Sequence, residues 1–207
     1  MTKITCIHLA LFINVLFLVQ NSAFSHGYTR IEEPLIKTVK ETILSGKQSD
    51  WSKVPGKAEG MDGLMSDIRK IFHIDMQARI DTAIQQRDFQ ALKRHMTNLV
   101  FLAIRKNFYL NRQEKLEPFI HSKERLQQAE RYYLAVLAKN VSNYDAKNHT
   151  GLYKNIHCKF VKARHTLGSA GFLGAGAIKP KPQDFEVITK EIENLIIRTF
   201  PYFDSIE

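Results

Sequence analysis

From Pro34 onward, apolar residues recur at three- and four-residue spacing, and no run alternates strictly between apolar and polar positions. That periodicity predicts helices and no sheet. Pro34 opens a first short helix carrying Leu35, Ile36, Val39 and Ile43, with Gly46 at its end. Residues 47–60 read as a loop, pinned by Trp51, whose large side chain has most to gain from burial. The spacing predicts a second helix over 62–86, with Leu64, Ile68 and Ile71 on one stripe and Met65, Phe72 and Met76 beside it. On that stripe Asp75 stands four residues before Arg79, which suggests an ion pair at the core edge. Asp88 caps a third helix over 89–110. The centre of that helix, Leu99-Val100-Phe101-Leu102-Ala103-Ile104, is apolar on every side and must be covered on every side.

Three further helices complete the reading. Ser122 is placed to cap a fourth, with Leu126, Ala129, Tyr133, Val136 and Leu137 on one face, Tyr132 pointing outward and Tyr133 inward. A fifth starts at Asp145 or Thr150 and ends at Leu167, with Leu152, Ile156, Phe160 and Ala163 inside. Asp184 caps the last, which bears Phe185, Ile188, Ile192, Leu195 and Ile196. Short connections favour antiparallel neighbours. The expected fold is therefore all-α: an up-and-down bundle of about four core helices with a shorter helix at each end.

Ahead of this domain the pattern changes. Lys3 precedes an apolar run from Ile4 to Val19, and Ala23-Phe24-Ser25 places small residues before a cut ahead of His26. These are the three parts of a secretory signal. The run of about 16 residues falls short of the ~20 that span a bilayer, which favours cleavage over an uncleaved anchor. The expected division is a leader over 1–25 and one helical domain over 26–207, exported to the periplasm or the extracellular space. Cys6 leaves with the leader and lies in no lipoprotein box, so Cys158 remains alone, expected half-buried on a helix and without an internal disulfide. His157-Cys158 lacks the second cysteine of a haem-attachment motif.

Charge adds one departure from ordinary composition. The chain carries 30 Lys and Arg against 21 Asp and Glu, a net charge of +9, of which only Lys3 is lost with the leader. The excess favours anionic partners (an acidic protein, lipid headgroups or a polymer) but is too dilute to imply nucleic acid. From Ala146 to Pro182 no acid occurs. Within it Lys147, Lys154, Lys162, Arg164, His165, Lys179 and Lys181 form the candidate anion-binding set, Lys159 and His157 lying nearby. The competing account is a solvated face balanced by acids on neighbouring helices. Gly168, Gly171, Gly174 and Gly176 follow, in a segment that lacks the Gly-Lys-Ser/Thr of a phosphate loop. With Phe172, Leu173 and Ile178 in it, the segment reads as a packed crossover between helices.

Metal chemistry has one pointer. Cutting after Ser25 leaves His26 as the first residue, whose α-amine and ring nitrogen together make a bidentate copper site. The opening His26-Gly27-Tyr28 resembles that of copper-dependent polysaccharide monooxygenases. That resemblance covers three residues, and it implies a β-sandwich where the rest of this chain has helical spacing. The alternative function is thus a metal or redox protein, with copper at His26 or haem in the bundle. Met61, Met65, Met76 and Met96 read as core fillers. No pair of Glu-x-x-His motifs supports a di-iron bundle, and Glu117/His121 and Asp145/His149 read as helix-start electrostatics. Asn140 and Asn148 begin glycosylation sequons that matter only on passage through an endoplasmic reticulum. No catalytic set emerges, and the chain is expected to bind rather than catalyse.

Overall fold

Pro34 begins the first helix, at a position where its missing N–H costs nothing. The computed structural model describes residues 33–54, 59–169, 171 and 176–206, so the leader, His26, Phe172 and Leu173 lie outside the described residues. The helices are α1 (Pro34–Lys47), α2 (Asp62–Phe72), α3 (Met76–Gln85), α4 (Phe89–Gln113), α5 (Phe119–Tyr132), α6 (Ala138–Asn148), α7 (Leu152–Thr166) and α8 (Pro182–Thr199). A π-helical segment, Tyr133–Leu137, joins α5 to α6, and the chain ends in a 3₁₀ turn, Pro201–Ile206. Among the described residues there is no strand, only an isolated bridge between Ser169 and Ile178. The protein is all-α. None of its described helices is long and apolar enough to cross a membrane.

Helix α4 is the hub. Its 25 residues rise about 37 Å, and it packs against α1, α2, α3, α5, the π segment and α8. Leu99 through Ile104 are all buried, as their all-round apolarity requires. Asp88 caps the helix by accepting a hydrogen bond from Ala91 N at 2.9 Å. The second packing centre is α7, which lies along α8 and touches α5 and α6. Its stripe Leu152, Ile156, Phe160, Ala163 and Leu167 is buried throughout.

Several local expectations are corrected. The helix expected over 62–86 breaks at 73–75. His73 turns left-handed (φ 57°) to end α2, and Asp75 caps α3 by accepting from Ala78 N at 3.0 Å. The apolar stripe runs across the break without changing phase, which is why spacing alone conceals it. Asp75 consequently faces Arg69, 3.5 Å away, and not Arg79. Gly46 does not end α1, which continues to Lys47. It is a close-approach site: a Cβ there would lie 2.8 Å from Leu92 Cδ2, so the missing side chain lets α1 sit on α4. Ser122 lies inside α5 and is buried, because the helix already begins at Phe119. Helix α8 begins at Pro182, leaving Asp184 in its first turn.

Tyr132 and Tyr133 are both buried, against the expectation of one ring outward. Tyr132, ahead of the π segment, is covered on the side of Glu33 and the start of α1, and the π segment accounts for the buried positions from Tyr133 onward. Ala138 N donates to Tyr133 O, five residues back, and the added residue resets the helical phase. Buried positions then continue through Leu137 and Val141 at four-residue steps, which in an uninterrupted α-helix would rotate out of the core.

Gly168 closes the connection between α7 and α8. Its φ is +76°, and a Cβ there would lie 2.2 Å from the carbonyl oxygen of Ile178. The neck is held by Ser169 N to Ile178 O (2.9 Å), Ile178 N to Ser169 O (3.1 Å) and Lys181 N to Thr166 O (2.8 Å). The connection is thus tied by backbone; Ile178 is exposed and does not pack as expected. Gly168→Ala should cost about 2 kcal/mol, since both the backbone region and the contact are forbidden to a side chain. Urea unfolding checks the cost, and faster amide exchange at Ser169 and Ile178 checks its location.

Candidate functional site

The α6–α7 corner is built by Asp145. Its carboxylate accepts from Thr150 Oγ1 (2.5 Å), Leu152 N (2.9 Å) and Tyr153 N (2.8 Å), capping α7 from the preceding helix. Partial burial raises the Asp145 carboxyl, but these three donors together outweigh it and hold the group below its ordinary value. His149, expected to pair with Asp145, instead adopts the left-handed conformation (φ 54°) that ends α6.

With its apolar stripe fixed inward, α7 turns Lys154, Cys158, Lys162 and His165 to solvent on the opposite face, at steps of four, four and three residues. All four are exposed. The stripe spans about 16 Å along the helix axis. At its C-terminal end the neck brings Lys181 back to α7, through the hydrogen bond to Thr166 O, and places the backbone of Lys179 against Gly168. Lys162, His165, Lys179 and Lys181 therefore share one end of the helix. Lys147, in the last turn of α6, belongs to the other end. Cys158 is exposed, not half-buried.

The basic residues on the flanks of α7 behave differently. Arg164 Nη2 donates to Glu130 Oε2 on α5 at 2.6 Å, and Lys159 Nζ to Glu191 Oε2 on α8 at 2.6 Å. Arg164 is thereby corrected from a ligand-facing residue to a strut between α7 and α5. Lys147, Lys154, Lys162, Lys179 and Lys181 form no ion pair with any described residue. Balance by neighbouring acids thus holds for the flanks and fails for the outer face.

The sequence reading missed a second charged cluster. Glu193 of α8 is buried between two residues of α4: Arg105 Nε donates to its Oε2 at 3.2 Å, and Arg112 Nη1 lies 3.5 Å from its Oε1. Arg112 also donates to Thr189 Oγ1 at 3.3 Å, and the Arg105 guanidinium sits 5.0 Å from the centre of the Phe72 ring. Burial pushes the Glu193 carboxyl above its ordinary value of 4.5, against the lowering effect of both arginines. A sequence signal existed: Glu193 falls on the same helical face as Phe185, Thr189, Ile192 and Ile196, where an acid needs partners. This cluster ties α8 to α4.

The described residues also line an open crevice of about 290 Å³ beside Glu33, Lys106, Asn107 and Tyr132, and another of about 280 Å³ between α3 and α4. In the first the charges are already spent. Arg131 Nη2 and Gln128 donate to Glu33 (2.7 and 3.2 Å), and Lys106 pairs with Asp67. Among the described residues no group of three or more His, Cys, Asp or Glu could hold a metal ion. His26 lies outside them, and the four methionines considered above are buried in the apolar core. Comparison of the chain with protein-family models, with curated proteins and with solved structures gives no match.

Proposed function

We propose that the protein is an exported, non-catalytic binding module, freed of residues 1–25 by cleavage ahead of His26, whose helices form an up-and-down bundle presenting a basic face to an anionic partner. The face consists of Lys154 and Lys162 along α7, His165 beside them, Lys179 and Lys181 at the neck, and Lys147 at the far end. One observation carries the reading: flank residues Arg164 and Lys159 reach acids on α5 and α8, whereas the outward lysines have no ion pair among the described residues. Uncompensated like charges on a rigid stripe repel one another and are relieved by an anion array. A multivalent partner gains from the fixed backbone, because the helix already holds the Cα atoms of Lys154 and Lys162 about two turns apart on one face.

The test is binding of the mature protein to phosphatidylcholine vesicles with and without phosphatidylserine, and to a soluble acidic polymer. At about 1 kcal/mol per lysine near an anionic surface, Lys154→Glu with Lys162→Glu should weaken binding about 30-fold or more. Salt should weaken the parent protein steeply and the double variant little. Affinity indifferent to both changes would remove the proposal.

A further inference from the structure

The crevice between α3 and α4 differs from its counterpart beside Glu33 because the guanidinium that lines it has not been neutralised from within. Arg79 of α3 and His95 of α4, both half-buried, line it together with Thr82 and Gln86. The acids on the surrounding elements are engaged elsewhere. Asp75 caps α3 and faces Arg69, Asp81 accepts from Gln77 Nε2 at 2.8 Å, and Asp88 caps α4. Arg79 has neither a hydrogen bond nor an ion pair with any described residue. The floor and edge are alanines, Ala78, Ala83 and Ala91, whose short side chains leave about 280 Å³ open.

We propose that this crevice is a binding site for a small oxyanion bearing a short apolar group, such as a phosphate monoester, held by Arg79 and His95 over the alanine floor. The guanidinium offers a planar fork of donors suited to a phosphate or carboxylate. His95 supplies a second donor from the facing helix, and the Gln86 side-chain amide, which has no hydrogen bond among the described residues, a third. Thr82 Oγ1 already donates to Ala78 O at 2.7 Å, so it lines the crevice without offering its proton. The volume lies just below the usual range of ligand pockets, which suits a small molecule. The site is separate from the α7 face and independent of the reading given to it.

His95 also reports on occupancy. Burial, with Arg79 across the crevice and Arg94 on its own helix, holds the imidazole below its ordinary value of 6.5, and Asp88 is the acid that opposes them. An anion bound between Arg79 and His95 cancels the repulsion and favours the imidazolium, so binding takes up a proton and strengthens as pH falls. The experiment is a proton NMR titration of the His95 ring resonances, assigned by their loss in His95→Gln. It uses the mature protein with inorganic phosphate and with phenyl phosphate. The expected result is a saturable upward shift of the His95 pKa, reached at lower concentration with phenyl phosphate. Arg79→Gln should weaken the response at least tenfold, and Ala78→Leu, an exposed substitution that fills the rim, should weaken phenyl phosphate most. The Lys154→Glu, Lys162→Glu protein should respond like the parent, which separates this site from the basic face. A His95 resonance unmoved by either ligand, or an Arg79→Gln protein that responds like the parent, overturns the proposal.

Discussion

Glu193→Ala should destabilise the protein by about 3 kcal/mol, whereas Glu193→Gln should cost about 1 kcal/mol at neutral pH. The difference follows from what each leaves behind. Alanine removes the acceptor of Arg105 and the counter-charge of Arg112, stranding two largely buried guanidinium groups between α4 and α8. Glutamine keeps an acceptor oxygen and the shape of the side chain. Burial already pushes Glu193 towards its neutral form, so a neutral isostere forfeits little. A pH series adds a sign test. With the folded-state value raised, the folded chain holds more protons than the unfolded one just above 4.5, so this residue's contribution falls as pH rises through that window. The parent should therefore lose ground to Glu193→Gln between about pH 4.5 and neutrality, since other carboxylates titrate equally in both proteins. Denaturant unfolding of all three proteins across pH measures this. An Ala variant as stable as the Gln variant would show that the arginines find other partners.

Why some of this was legible in the sequence and some was not comes down to range. The hub helix was legible because Leu99–Ile104 has no polar side, a statement about six adjacent residues. The inward stripe of α7 was legible for the same reason, and it fixes which lysines face out. The break between α2 and α3 was hidden because His73 enters the left-handed region with no glycine to announce it, while Asp75, a good cap, was equally readable as a partner for Arg79. The division of the basic residues into struts and free lysines could not be read at all. Glu130 is 34 residues from Arg164, and Glu191 is 32 from Lys159. No local rule connects them. The crevice between α3 and α4 likewise needs two helices in register before Arg79 and His95 face one cavity, and its sequence signature is no more than scattered alanines.

Phe108→Ala should be the most damaging single substitution of those considered, at about 4 kcal/mol. Phe108 is fully buried on α4, and its ring lies 6.0 Å from that of Phe160 on α7 and 6.2 Å from that of Phe185 on α8. Three helices therefore meet on one side chain, and the cavity left by alanine cannot close without moving two of them. Phe108→Leu, which keeps most of the volume, should cost about 1–2 kcal/mol. Ile120→Ala, at a residue 64% exposed on α5, should stay within about 0.5 kcal/mol. The consequence reaches the surface. The basic stripe stands on the back of α7, whose seat on the core includes Phe160 packed against Phe108 and Tyr133. Hydrogen exchange in Phe108→Ala should accelerate first at Ile156, Phe160 and Ala163, with α1 and α2 less affected, and polyanion binding should weaken although every lysine is still present. Loss of stability with exchange quickened uniformly along the chain would instead mean that Phe108 is no special seat for α7, and that its packing on α8, the two ion-pair struts, the α6 corner and the neck hold the charged face.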